Sequence, residues 1–234
     1  MHKKLVTLLC LLTFSASSIA QDINKNDASG KRHGLWKGTY EKSKKPRYEG
    51  TFEHGKETGT FKFFSDDARS SLMATRTFDA DGSCYTVFLD PDGNKVSEGR
   101  EVNKLQEGEW KYYHNKSKAV MATERYIKGK MTGIRKVFFK NGTINEEITY
   151  VNGLKEGIYK KYNEKGIVLE ESLYKNDLYN GQATYRDFQG NIVSQGSYSN
   201  GLKSGIWKFY KNGKVFKEED MSADRKLPAK KTTN

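Results

Sequence analysis

The chain has 234 residues, 30% of them charged and only 35% hydrophobic, with a formal net charge of +12 and a mean hydropathy of −0.84. Aromatic residues still reach 12%, which excludes simple disorder, because disordered chains are poor in aromatics. A compact two-layer domain wants more Leu, Ile and Val than this, so the composition points to a thin, surface-rich structure held by aromatic contacts.

Residues 1–20 read as a signal peptide: MHKK is a basic start, LVTLLCLLTF an apolar run of ten, and Ser18 and Ala20 give a small-x-small cleavage pattern before Gln21. The expected destination is the periplasm or the extracellular space. The run is too short for a stable membrane anchor, and Leu9 ahead of Cys10 is too large for a lipoprotein cleavage box. Cleavage removes Lys3 and Lys4, lowering the charge to 12 − 2 = +10. It also removes Cys10 and leaves Cys84 alone, as a buried small hydrophobe or a site of intermolecular pairing. Residues 21–29, QDINKNDAS, form a short polar leader. Residues 221–234 form a basic tail expected to be disordered.

Between them, residues 30–220 repeat themselves. YVNGLKEGIYKKY at 150–162 returns as YSNGLKSGIWKFY at 198–210, and half of that 48-residue offset is the true period. Stepping back by 24 from Tyr198 meets Tyr174, Tyr150 and Tyr126, then Val102 and Phe78, with Phe52 a further 26 back. A glycine leads each copy, at Gly34, Gly59, Gly108, Gly133, Gly157, Gly181 and Gly205, and two residues later stand Trp36, Phe61, Trp110, Arg135, Tyr159, Ala183 and Trp207. A fixed period of this size marks a repeat architecture of about eight units, weakest near residues 80–104, where the leading glycine is missing. Asn-Gly pairs at 141–142, 152–153, 200–201 and 212–213, and Asp-Gly pairs at 81–82 and 92–93, are turn pairs that accept φ > 0. The runs between them are aromatic and β-branched. The predicted fold is all-β: an elongated single-layer antiparallel sheet of tandem β-hairpins, each unit touching only its neighbours. The glycine of each Gly-x-aromatic motif is expected to leave a gap that a neighbouring ring covers.

The segment NGLKSGIWKFYKNGK at 200–214 resembles the bacterial MORN-repeat variant, whose proteins include a YwqK-type antitoxin group, and the resemblance extends over roughly residues 30–220. It implies hairpin arrays used for protein interaction, self-association or lipid contact, with no shared catalytic residues.

Catalytic constellations are scarce. His33, His54 and His114 fall at unrelated repeat positions, and nothing in their spacing gathers them into a triad or zinc site. The pairs Glu146–Glu147 and Glu170–Glu171 recur with the repeat and so read as structural. Asp90, Asp92 and Asn94 resemble a calcium loop, but Gly93 comes too early, so a hairpin turn is expected. No phosphate loop or dinucleotide fingerprint appears, and neither a cofactor nor a metal is expected.

Two ladders remain. The aromatics Trp36, Phe61, Trp110, Tyr159 and Trp207 read first as inter-repeat packing and second as a stacking track for sugars or peptide. The next position holds Lys37, Lys62, Lys111, Lys136, Lys160 and Lys208, with Thr184 the exception, and alternation along a strand puts these lysines on the opposite face. A lysine track suits an anionic lipid or polysaccharide; nucleic acid is not expected in an exported protein. Alternatively the lysines keep an open sheet soluble. Treating Asn141-Gly142 and Lys165-Gly166 as turn pairs places Glu147 opposite Lys136 and Glu171 opposite Lys160, which would neutralise the track. The leading expectation is a non-enzymatic exported scaffold for an unidentified protein. The alternatives are an envelope-surface binder of anionic lipid or polymer and an antitoxin or immunity role against a partner toxin. Two sheet edges leave self-association open.

Overall fold

The computed structural model describes residues 22–222; the expected signal peptide, and the tail beyond Ser222, lie outside the described residues. Eighteen strands follow one another: β1 (Lys25–Asn26), β2 (Arg32–Thr39), β3 (Pro46–Glu53), β4 (Lys56–Phe64), β5 (Leu72–Phe78), β6 (Cys84–Leu89), β7 (Lys95–Val102), β8 (Leu105–Tyr113), β9 (Val120–Ile127), β10 (Lys130–Met131), β11 (Gly133–Phe138), β12 (Ile144–Val151), β13 (Leu154–Tyr162), β14 (Val168–Lys175), β15 (Leu178–Arg186), β16 (Ile192–Ser199), β17 (Leu202–Lys211) and β18 (Lys214–Asp220). All pairings are antiparallel and join neighbours along the chain, with β10 and β11 together filling one place beside β9. The result is a single open sheet of tandem hairpins.

The two rims of the sheet differ in turn chemistry. One rim carries two-residue turns with φ > 0 at both positions, as at Asn152-Gly153 (51° and 90°) and Asn200-Gly201 (49° and 82°), the type I′ geometry that matches strand twist. These turns stack: the Gly153 N–H donates to Met131 O at 2.8 Å, and the Gly201 N–H to Tyr179 O at 2.8 Å. The other rim carries mostly longer loops, several tied by an Asp or Asn at the loop start. Asp90 Oδ1 accepts from the Asn94 N–H at 2.8 Å, and Asp187 Oδ1 from the Asn191 N–H at 2.9 Å. Asn141-Gly142 and Lys165-Gly166 therefore do not close two-residue hairpins; they sit inside loops closed at Phe139–Thr143 and Asn163–Ile167. Lys136 nevertheless faces Glu147, and Lys160 faces Glu171. The longer loop shifts the register by one, and a one-residue bulge between Val137 and Phe138, or between Lys161 and Tyr162, shifts it back.

The leading glycines do a different job from the one expected. All seven hold φ between 61° and 110°, and an added Cβ at Gly34, Gly59, Gly108 or Gly205 would meet nothing within 4 Å. They open a bulge: Glu49 faces Lys62 and Thr51 faces Thr58, so Gly50 alone opposes residues 59 to 61. Side chains other than glycine adopt this backbone only with strain. The weak third unit lacks the glycine, and β5 pairs with β6 without any register shift. The glycines that rings do cover stand across the strand, at Gly38, under Tyr48, and at Gly50, Gly99 and Gly196, under ladder rings.

The segment ahead of the repeats is not a free leader. β1 pairs with β2, the Asn24 side-chain amide meets both the N–H and the C=O of Lys37 at 2.8 and 3.1 Å, and Trp36 Nε1 donates to Lys25 O at 3.0 Å. This segment caps the N-terminal edge, which a bare strand would leave with unpaired peptide groups.

Candidate interaction faces

Tracing directly opposed residues across the strands resolves the two ladders into two rows on opposite faces. The first row runs Trp36, Gly50, Phe61, Arg76, Thr86, Gly99, Trp110, Glu124, Arg135, Ile148, Tyr159, Ser172, Ala183, Gly196, Trp207 and Glu219. Phe61, Trp110 and Trp207 each have a glycine beside them, at Gly50, Gly99 and Gly196, so these rings lie against the neighbouring backbone. Among the described residues, the five bulkiest fully buried side chains, Trp110, Trp207, Phe61, Thr86 and Ser172, all belong to this row. It is the core. Trp207 shows how an open sheet encloses a ring: Nε1 donates to Ser197 O at 3.1 Å, Tyr198 meets it edge-on at 5.2 Å, Tyr185 stacks at 6.1 Å and the Lys203 ammonium sits 4.2 Å above it.

Where the row lacks a ring, other groups substitute. Arg135 Nε pairs with Glu124 at 2.8 Å, and Glu124 also accepts from the Tyr126 hydroxyl at 2.6 Å. Around Ala183 the rings come from its neighbours: Tyr174 and Tyr179 lie 4.4 Å apart, Tyr179 and Tyr198 4.9 Å, and the Tyr185 and Tyr198 hydroxyls meet at 3.1 Å. Burial, helped by Glu146 and Glu170, pushes the Tyr159 phenol up, and burial with Glu147 pushes Tyr162 up to about 12.

The second row contains all six ladder lysines, but not alone. It runs Lys37, Glu49, Lys62, Thr75, Val87, Glu98, Lys111, Thr123, Lys136, Glu147, Lys160, Glu171, Thr184, Gln195, Lys208 and Glu218. Six lysines are interleaved with five glutamates, so the row is a nearly neutral zipper. Glu49 bridges Lys62 at 3.0 Å and Lys37 at 3.7 Å; Lys136 meets Glu147 and Lys160 meets Glu171, both at 3.4 Å; Lys208 meets Glu218 at 3.6 Å; Lys111 pairs with Glu109 at 3.7 Å. The Lys62 hydrogen bond holds the Glu49 carboxyl below its usual range. Burial works against the charge on Glu98, yet its bonds from Lys95 and Tyr113 still hold its carboxyl low. The pairs across the longer loops, such as Lys136 with Glu147, follow the register of a two-residue turn; those across the two-residue turns, such as Glu147 with Lys160, depend also on the bulge that shifts the register.

Beside the zipper, on the same face, the alternation leaves aliphatic side chains in water: Ile134, Ile158 and Ile206 are 54%, 53% and 51% exposed. Each directly follows a leading glycine. That regularity was visible in the sequence, but its exposure is apparent only once the sheet is known to be one layer thick.

Two further groups find their places. His33 and His54 come together, ring centroids 4.9 Å apart, and His54 Nδ1 lies 2.7 Å from Asp27 Oδ2. Sequence spacing gave no hint of this, because the folded-back N-terminal segment supplies Asp27. The arrangement is a cap: Asp27 also accepts from the Ser29 hydroxyl and the Lys31 N–H, and the bonds from Ser29 and His54 hold its carboxyl well below the usual range. His114 instead joins adjacent loops through Phe138 O at 3.0 Å. Asp92 of the calcium-like stretch is taken by Lys116 and Arg69 at 3.1 and 3.3 Å. Cys84 is buried on the core face, and that burial raises its thiol pKa. Among the described residues no group of three or more His, Cys, Asp or Glu could hold a metal ion.

Comparison with known proteins agrees with this geometry. Residues 131–152 and 155–176, which run from the last residue of β10 to just past the end of β14, match the MORN repeat variant family, so this stretch is similar to MORN repeats. Such repeats are generally associated with protein-binding and membrane-binding roles. No curated protein matches the chain.

Proposed function

We propose that this protein is an exported, non-enzymatic scaffold whose broad sheet faces bind another protein. The observation that carries this reading is the zipper: the lysines that would make a polyanion track are interleaved with glutamates at hydrogen-bonding or ion-pairing distance. A polyanion responds to net positive charge along its path, and this row offers little. The aromatic ladder is likewise committed to packing, with Phe61, Trp110 and Trp207 at 1%, 1% and 0% exposure, which leaves no open ring face there for sugars. What remains available is a large face with exposed aliphatic side chains, the usual mark of protein contact.

The test is affinity capture from an envelope extract, washed at about 0.15 M and about 0.5 M salt, the second screening most surface attraction. A single stoichiometric protein retained at both salts supports the scaffold. Material that is retained only at low salt, and lost when Lys37, Lys62, Lys111 and Lys208 become Gln, refutes it in favour of anionic lipid or polymer.

A further inference from the structure

We propose that two copies of this chain pair face to face through the zipper face of β11 to β14, about a two-fold axis running parallel to the strands between β12 and β13. The proposal does not depend on the scaffold reading.

The aliphatic patch needs a cover. Ile134, Val151, Leu154, Ile158 and Leu173 are between 37% and 54% exposed. Ile158 directly faces Leu173, and Val151 faces Leu154, so the residues adjoin. The equivalents of Ile134 and Ile158 are Leu35 and Ile206 in the first and last units but Glu109 and Gln182 in the units on either side, so polar residues bound the patch. Contiguous exposed apolar surface of this kind marks an association site.

The charges beside the patch select the occupant. Across the four strands they read Lys136, Glu147, Lys160, Glu171. A two-fold rotation reverses the order, and a reversed Lys–Glu–Lys–Glu row is Glu–Lys–Glu–Lys. Lys136 of one copy then faces Glu171 of the other, and Glu147 faces Lys160, twice over. The same rotation lays Ile134 against Leu173 and Ile158 against Thr149. One operation therefore matches both rows at once, with the two sheets at the ordinary facing distance of about 10 Å. An anionic bilayer gains little from a row whose charges sum to zero. The patch and its charged border together bury on the order of 1,000 Å², the lower bound for a specific interface.

The test is sedimentation velocity of the purified protein over a hundredfold range of concentration. We expect a reversible monomer–dimer equilibrium. Ile158→Lys, at a half-exposed position that should leave the melting curve unchanged, should weaken the dimer by more than about tenfold. Lys136→Glu alone should weaken it as well, and adding Glu171→Lys should restore it, because the exchange rebuilds the pair between copies. A protein that stays monomeric throughout overturns the proposal, whether or not it binds anionic phospholipid vesicles or a different protein. So does a dimer indifferent to Ile158→Lys, or a charge exchange that associates no better than the single variant.

Discussion

Gly196→Ala tests the central claim about the core, that ladder rings lie flat on glycine backbone. The backbone of Gly196 is not left-handed, so alanine brings no conformational strain there. Its Cβ would lie 2.4, 2.5 and 2.6 Å from Cδ2, Cε2 and Cγ of Trp207, against an optimal carbon–carbon separation of about 3.5–4.0 Å. The ring must therefore rise by about 1 Å. It is fully buried and fixed by its bond to Ser197 O and by Tyr198, Tyr185 and Lys203. Overpacking of this kind costs about 1–3 kcal/mol, and weakening the indole hydrogen bond adds to it, so we expect about 3 kcal/mol. For a chain of this size that lowers Tm by about 6–12 °C. Urea and thermal unfolding followed by circular dichroism give the number, and a double-mutant cycle gives the cause. In a Trp207→Ala background, Gly196→Ala should cost almost nothing, since the clash is gone. An equal cost in both backgrounds, or a loss below about 0.5 kcal/mol in the first, would show that ring and glycine are not in contact and refute the packing scheme.

Other expectations concern charge and edges. Asp27, Asp67, Asp81, Asp90 and Asp187 all have carboxyl pKa values depressed, mainly by hydrogen bonds from neighbouring side chains. A depressed folded-state pKa contributes stability above the unfolded value and loses it as pH falls, so stability should hold from neutral pH to about 5 and decline below about 4. Asp67→Asn should flatten that decline in acid-dependent urea midpoints. Tyrosines behave oppositely: burial raises Tyr112, Tyr126, Tyr159, Tyr162, Tyr179 and Tyr185, so stability should fall as pH rises above about 10. Phenolate absorbance should then rise together with loss of the sheet signal, rather than before it. Lys62→Gln removes one of two lysines on Glu49 and should cost no more than about 1 kcal/mol, less in high salt; a larger loss in urea titrations would mean that the zipper governs stability. Asn24→Ala should cost about 1 kcal/mol and speed hydrogen exchange at the Lys37 amide, whose only described side-chain acceptor is Asn24 Oδ1.

The pairing of Lys136 with Glu147 could be read from the chain although the assumed turn was too short. The loop and its compensating bulge restore the same register, so an incorrect turn produced the correct partners. The leading glycines show the reverse: their positions were plain, but their role was not. A glycine required for φ > 0 and one required for a ring's approach look alike in one dimension. Only the geometry separates Gly59, at φ 61° with nothing nearby, from Gly50, where a Cβ would fall 2.3 Å from Phe61.

By itself the sequence determined the all-β class, the 24-residue unit, the alternation that sends lysines and rings to opposite faces, and the pairs within two of the hairpins. These depend on turn residues and on neighbours a few positions away, which a repeat restates in every unit. Tertiary structure alone decided the contacts re-registered by the bulges and those of the chain end with its edge: Glu147 with Lys160, Gly196 beneath Trp207, Asn24 on Lys37, and Asp27 with His54. Those partners are set by how far each bulge shifts the register and by where a terminal segment folds back, and neither displacement leaves a periodic signal in the residues themselves.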